Sequence, residues 1–144
     1  MLPAPFAADR QEDREVFLSQ RAIAQTISLA ERAGFALVSV GELTEGSLLH
    51  RQDMISEDEA ISLRAAGAVG DTNGILFDQD GKPVDHDLNQ RTVAIGLPLL
   101  NRTKTVVLSA GQQKLAATQA ILRNGVVKAL IIDGDSARAL SELI

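Results

Sequence analysis

The chain has 144 residues, 45% hydrophobic and 23% charged, which suits one globular domain. Its net charge of −5 comes without a basic stripe, and it has no Trp or Tyr. On its own it is therefore a poor candidate for DNA binding, which needs Lys/Arg contacts to phosphate, or for base stacking. The absence of Cys excludes disulfides, thiolate metal sites and cysteine nucleophiles. No apolar run approaches the ~18 residues of a membrane span and no signal peptide is evident, so a cytoplasmic protein is expected.

Met1-Leu2-Pro3-Ala4-Pro5-Phe6 reads like the exit of a strand whose earlier part is missing, since two prolines bar regular pairing. Asp9 and Glu12 form a D-x-x-E helix start. Apolar residues then recur with helical period at Val16, Phe17, Ile23, Ile27 and Ala30. Ser19-Gln20 divides the run into two helices, and Gly34 ends the second. Phe35–Val40 predicts a buried parallel-type strand ending at Gly41, followed by a turn-rich loop from Glu42 to Asp53. Ser56-x-x-Glu59 is a full capping box for a helix that stops at Gly67. Residues 74–77, the turn Asp78-Gln79-Asp80-Gly81 and Lys82-Pro83-Val84 predict a β-hairpin with its proline arm at an edge.

Thr92–Ile95 reads as another strand and Leu97–Leu100 as a short helical piece. Thr105–Leu108 is an apolar strand that runs through Ser109-Ala110-Gly111-Gln112-Gln113-Lys114 into a helix from Leu115 to Asn124, ended by Gly125. Lys128–Ile132 predicts the last parallel strand and Ser136–Leu143 the last helix, capped by Asp133, Asp135 or Ser136. Strands alternating with helices define an α/β fold: a mostly parallel sheet, helices on both faces and a β-hairpin insertion.

In such sheets ligands bind beyond the carboxyl ends of the strands. Gly111 lets a ligand approach the backbone there, and the amides of Gln112, Gln113 and Lys114 would face an anion at the helix start. Lys114, a cation in the first turn, works against the helix dipole unless an anion lies between. The spacing is not a P-loop, and an ordinary strand–helix junction with a solvated lysine fits these residues equally well. Asp71 lies within Gly67-Ala68-Val69-Gly70-Asp71-Thr72-Asn73-Gly74, where its carboxylate can accept from vicinal sugar hydroxyls or cap its own turn. Arg51, in the loop after Gly41, suits a bidentate grip on phosphate or carboxylate, or is simply solvated. Asp78, Asp80, Asp85 and Asp87 miss EF-hand spacing, because its glycine falls on Pro83 and its glutamate on Asn89. His50 and His86 do not form a zinc pair, and no cofactor motif is present, so neither metal nor cofactor is expected.

Taken in order, Leu2-Pro3-Ala4-Pro5, Phe35–Gly41, Gly67–Gly74, the 77–84 hairpin and Ala110–Lys114 resemble the sugar-binding, effector-sensing domain of SorC/DeoR-type bacterial transcriptional regulators. The resemblance implies a fold similar to glucosamine-6-phosphate deaminase and ribose-5-phosphate isomerase. It implies a phosphorylated sugar or related metabolite as effector, with Lys114 on the phosphate beside Gly111, Gln112 and Gln113. Asp71 and Gly70 would then meet the sugar, with Arg51 lining the site. It implies a regulator rather than an enzyme, with no catalytic residues. Residues 1–144 would be a partial sensing domain whose first segment and DNA-binding domain are absent, contacting DNA only through that missing part. Self-association as a dimer or tetramer is expected, and membrane contact is not. A sugar-phosphate isomerase or deaminase of the same fold, with Asp71 as acid or base, is the alternative, followed by an oligomerisation domain without a ligand.

Overall fold

The computed structural model describes residues 2–143. In chain order its elements are α1 (Gln11–Ser19), α2 (Arg21–Glu31), β1 (Phe35–Ser39), β2 (Gly41–Glu42), α3 (Leu48–Arg51), α4 (Glu57–Ala65), β3 (Gly70–Thr72) and β4 (Ile75–Phe77). They continue as α5 (Asp87–Arg91), α6 (Leu97–Arg102), β5 (Lys104–Ser109), α7 (Leu115–Asn124), β6 (Val127–Ile132) and α8 (Gly134–Ser141). A single 3₁₀ turn, Gln112–Lys114, joins β5 to α7.

Two three-stranded sheets organise these elements. β1, β5 and β6 form a parallel sheet with β5 in the centre. β2, β3 and β4 form an antiparallel sheet with β3 in the centre. Alternate side chains of the parallel sheet, including Ala36, Val38, Val107 and Leu130, pack with Leu97 and Leu100 of α6 and with Ala117, Ala120 and Ile121 of α7. The register places Phe35, Leu37, Leu108 and Ile131 on the opposite face, where each is 45–57% exposed. Thus, where helices on both faces were expected, this face is open among the described residues. β1 is half-buried rather than buried throughout.

β4 separates two cores. Its neighbours Leu76 and Phe77 are both fully buried but, with the strand's period of two, point to opposite sides. Phe77 joins the core beneath the parallel sheet. Leu76 joins a second core with Leu43, Leu49, Ile55, Leu63, Val84 and Leu88. Burial of each such side chain stabilises the fold by about 1.5–3 kcal/mol.

Several local expectations change on folding. α1 starts at Gln11 with Arg10 as an N-cap that makes no side-chain bond, so Asp9 is not its cap. The break between α1 and α2 falls at Gln20, which is extended (φ −60°, ψ 132°). Glu42, expected to open the loop, instead forms the short strand β2 with Gly41, and the following segment contains α3. The principal hairpin is β3–β4, turned by Asn73 (φ 52°) and Gly74 (φ 80°). Positive φ at both central residues is the turn that Asn-Gly favours. The expected second arm of the 77–84 hairpin pairs only as a Phe77–Pro83 bridge, flanked by Asp78 N–H to the Lys82 carbonyl and Val84 N–H to the Leu76 carbonyl; beyond it Leu76 N–H turns to the Asn89 side chain. Thr92–Ile95 is not a strand: Thr92 makes one bridge to Ala7, beside the proline-bearing amino-terminal segment. The capping box of α4 is present as read, with Ser56 N–H donating to Glu59 (2.8 Å) and Glu59 N–H to Ser56 Oγ (3.2 Å).

Candidate functional site

Beyond the carboxyl ends of β1 and β5 lies a cleft of about 300 Å³, small for a ligand pocket but polar. Its walls come from residues 39–42, the α3 loop (Gly46, Leu48, Leu49 and Arg51), Asp71 of β3, and Gln113 and Lys114 of the 3₁₀ turn. Each wall has a local cause. Gly41 pairs directly with Asp71 in the antiparallel register, so β2 presents no side chain over the carboxylate. A Cβ at Gly41 would overlap Asp71 Oδ1. Ser47 caps α3 by accepting from His50 N–H (3.3 Å), which orients the turn carrying Arg51.

The charged groups are poised differently. Lys114 Nζ donates to the carbonyl of Val40 (2.9 Å) at the end of β1, which ties the ammonium to the cleft wall. Asp71 Oδ2 accepts from the Gly74 amide (3.0 Å), so the Asn-Gly turn that reverses the hairpin also orients this carboxylate. Burial pushes the Asp71 carboxyl above the usual carboxylate range; the Gly74 amide and the Lys114 charge oppose this, and Glu42 adds to it. Arg51 is exposed at the cleft edge. An ammonium, a guanidinium and two carboxylates around a small open cleft can hold a molecule bearing both an anionic group and hydroxyls.

The structure brings Lys114, Gln113, Asp71 and Arg51 to this cleft. Gly111, Gln112 and Gly70 do not line it. Gly70 is packed beneath, where an added Cβ would overlap the Gly41 carbonyl and lie 2.5 Å from Ala117 Cβ. Gly111 has φ +99° and donates its amide to Asp133 Oδ2 (2.9 Å), and Lys114 N–H closes the turn onto the Gly111 carbonyl (3.1 Å). Two of the turn's amides are thus already engaged, while those of Gln112 and Gln113 have no intramolecular acceptor among the described residues. Sequence reasoning missed Glu42, which read as loop, and the link from Asp133, which read only as a helix cap. A second cleft, lined by Leu2, Phe6, Met54, Val93, Ile95 and neighbours, is apolar and carries no ionisable side chain. Among the described residues no cluster could hold a metal ion, and no helix is long and apolar enough to cross a membrane.

An α/β scaffold with a mixed-charge cleft at its strand ends defines a small-molecule-binding domain. Residues 1–142 match the model of the sugar-binding domain family, and the chain belongs to that family. The erythritol catabolism regulatory protein EryD of Brucella abortus is 31% identical over 140 residues, which span 97% of this chain and 44% of that protein. The solved sugar-binding domain of a transcriptional repressor from Vibrio fischeri superposes with a TM-score of 0.87 at 28% identity, covering 99% of this chain and 58% of that one. A DeoR family transcriptional regulator from Listeria monocytogenes superposes at 0.90 with 25% identity, covering 96% and 57%. The chain therefore spans less than half the length of EryD and somewhat over half of these solved chains. EryD is named as a regulatory protein and the two solved chains as a transcriptional repressor and a transcriptional regulator.

Proposed function

We propose that this chain is the effector-binding part of a bacterial transcriptional regulator and that its ligand is a phosphorylated sugar or polyol. The observation that carries this reading is the convergence of Lys114, Arg51 and Asp71 from three separate elements on one cleft. Lys114 and Arg51 would meet the phosphate, together with the free amide of Gln113, and Asp71 would accept from hydroxyls. The name of EryD, which concerns the catabolism of a polyol, supports a polyhydroxylated ligand. DNA contact would come from another part of a longer protein, as the greater length of the relatives allows. The ligand would act by binding one assembly state of the regulator better than another, since equal affinity shifts nothing. A cytoplasmic, self-associating protein without catalytic turnover fits this role.

Thermal unfolding against a panel of phosphorylated sugars and polyols, each beside its unphosphorylated parent, tests the reading. A ligand at ~100 times its dissociation constant stabilises by about 2.7 kcal/mol, on the order of 5–10 °C here. The expected result is a shift with phosphorylated compounds only, lost or strongly reduced in Lys114→Ala. An equal response to an unphosphorylated parent, or an undiminished one in Lys114→Ala, overturns the phosphate assignment.

A further inference from the structure

We infer that Asp133 is a positioning residue for the cleft: it clamps the Gly111 turn in the shape that delivers Gln113 and Lys114 to the ligand. The inference rests on the effector-binding reading above and adds to it a residue outside the cleft.

One carboxylate joins two elements. Asp133 Oδ1 accepts from Ser136 N–H (2.9 Å), capping α8, while Oδ2 accepts from Gly111 N–H (2.9 Å), 22 residues away in sequence. The parallel register explains the reach. Ser109 of β5 lies opposite Ile132 of β6, so Asp133 leaves its strand beside the residues that enter the turn.

The turn needs holding. Gly111 sits at φ +99°, and a Cβ there would come within 2.5 Å of the Gln113 side-chain amide. From below, the buried Ser109 and Thr118 hydroxyls bond at 2.7 Å and join β5 to α7. From within, Lys114 N–H closes onto the Gly111 carbonyl. The Asp133 contact is the one that ties the outer backbone of the turn to a neighbouring strand. Ser136 first, then the Gly111 amide, hold this exposed carboxyl well below the usual carboxylate range, so it is ionised at neutral pH.

Charge and geometry then make opposite predictions. As a mere charge near an anion seat, Asp133 repels the phosphate, and Asp133→Asn should tighten binding. As a clamp it aligns the seat, and Asp133→Asn should weaken binding. Asn keeps an acceptor for the α8 cap, but its amide nitrogen, which only donates, then stands where Oδ2 accepts from Gly111 N–H.

The test uses the chain labelled with ¹⁵N-glycine, in wild-type and Asp133→Asn forms. The Gly111 amide is followed by hydrogen exchange without ligand, and affinity is measured for the phosphorylated sugars and polyols of the panel. Loss of one charge-assisted bond should cut Gly111 protection about tenfold and weaken binding several-fold, with the melting temperature lowered by only a few degrees. Unchanged Gly111 protection overturns the inference, as does equal or tighter binding by the variant. If the wild-type chain binds no member of the panel, the effector reading itself fails. That failure is distinguishable because Gly111 protection is measured without ligand.

Discussion

Gly70→Ala tests how the cleft is supported from beneath. The added methyl would overlap the Gly41 carbonyl oxygen and lie 2.5 Å from Ala117 Cβ, where ordinary contacts are ~3.5–4 Å. Neither obstacle can rotate away, because one is backbone and the other is a methyl on α7 that is only 1% exposed. Relief requires parting β2 from β3, or the hairpin from α7. Such overpacking costs about 1–3 kcal/mol, and the stiffer unfolded chain of an Ala variant offsets about 0.4–1 kcal/mol. A net loss of about 1–2 kcal/mol lowers the melting temperature by roughly 2–8 °C for a domain of this size. Asp71 follows Gly70 in β3, so the same displacement should weaken binding of the phosphorylated ligand. Circular-dichroism melts of Gly70→Ala, Ala117→Gly and the double variant measure the coupling, with the double expected to be less destabilised than the sum of the singles. Gly34→Ala, which meets nothing within 4 Å, is the control and should be near neutral. A Gly70→Ala protein with an unchanged melting temperature and full affinity would refute the packing account. Strict additivity with Ala117→Gly would remove α7 as the obstacle.

Asp71→Asn should raise the melting temperature of the unliganded chain at pH 7 while reducing ligand affinity about tenfold or more, because burial makes the ionised carboxylate costly in the fold. The pH dependence has a definite sign: the folded pKa lies above the ordinary one, so the fold binds this proton more tightly than the unfolded chain does. Wild type should therefore gain an Asp71-dependent increment of stability as pH falls from neutral through the raised pKa. That increment should be missing from Asp71→Asn melts, and identical pH slopes in the two proteins would contradict it. Asn89 receives Leu76 N–H (2.9 Å) and donates to the carbonyls of Leu76 (2.8 Å) and Val84 (2.9 Å), completing the edge of β4. Asn89→Ala leaves at least the Leu76 amide without its acceptor, and urea unfolding should show a loss of about 2–4 kcal/mol.

The sequence alone determined those features whose physics is local. The helix from Leu115 to Asn124 carries its own period and a C-terminal Gly125 at φ +82°, and it was legible to the residue. The α4 capping box needs only residues 56–59, and the helix break at Gln20 only its immediate neighbours. Asp71, Arg51 and Lys114 were nominated by residue type and setting, and the family by the order of short motifs. Tertiary structure decided what depends on partners distant in the chain. β3 is three residues long, too short for its alternation to be read, and exists because Gly41–Glu42 and Ile75–Phe77 flank it. Thr92–Ile95 has a strand's composition but finds only Ala7 opposite. The same holds for the cleft: that Lys114 meets Val40 and that Asp133 takes the Gly111 amide follow from parallel pairing of β1, β5 and β6, and that Gly70 supports rather than contacts the ligand space follows from antiparallel pairing of β2 with β3. Local backbone preference extends over a few residues, whereas strand register joins residues tens of positions apart, and that register placed the charges around one cleft.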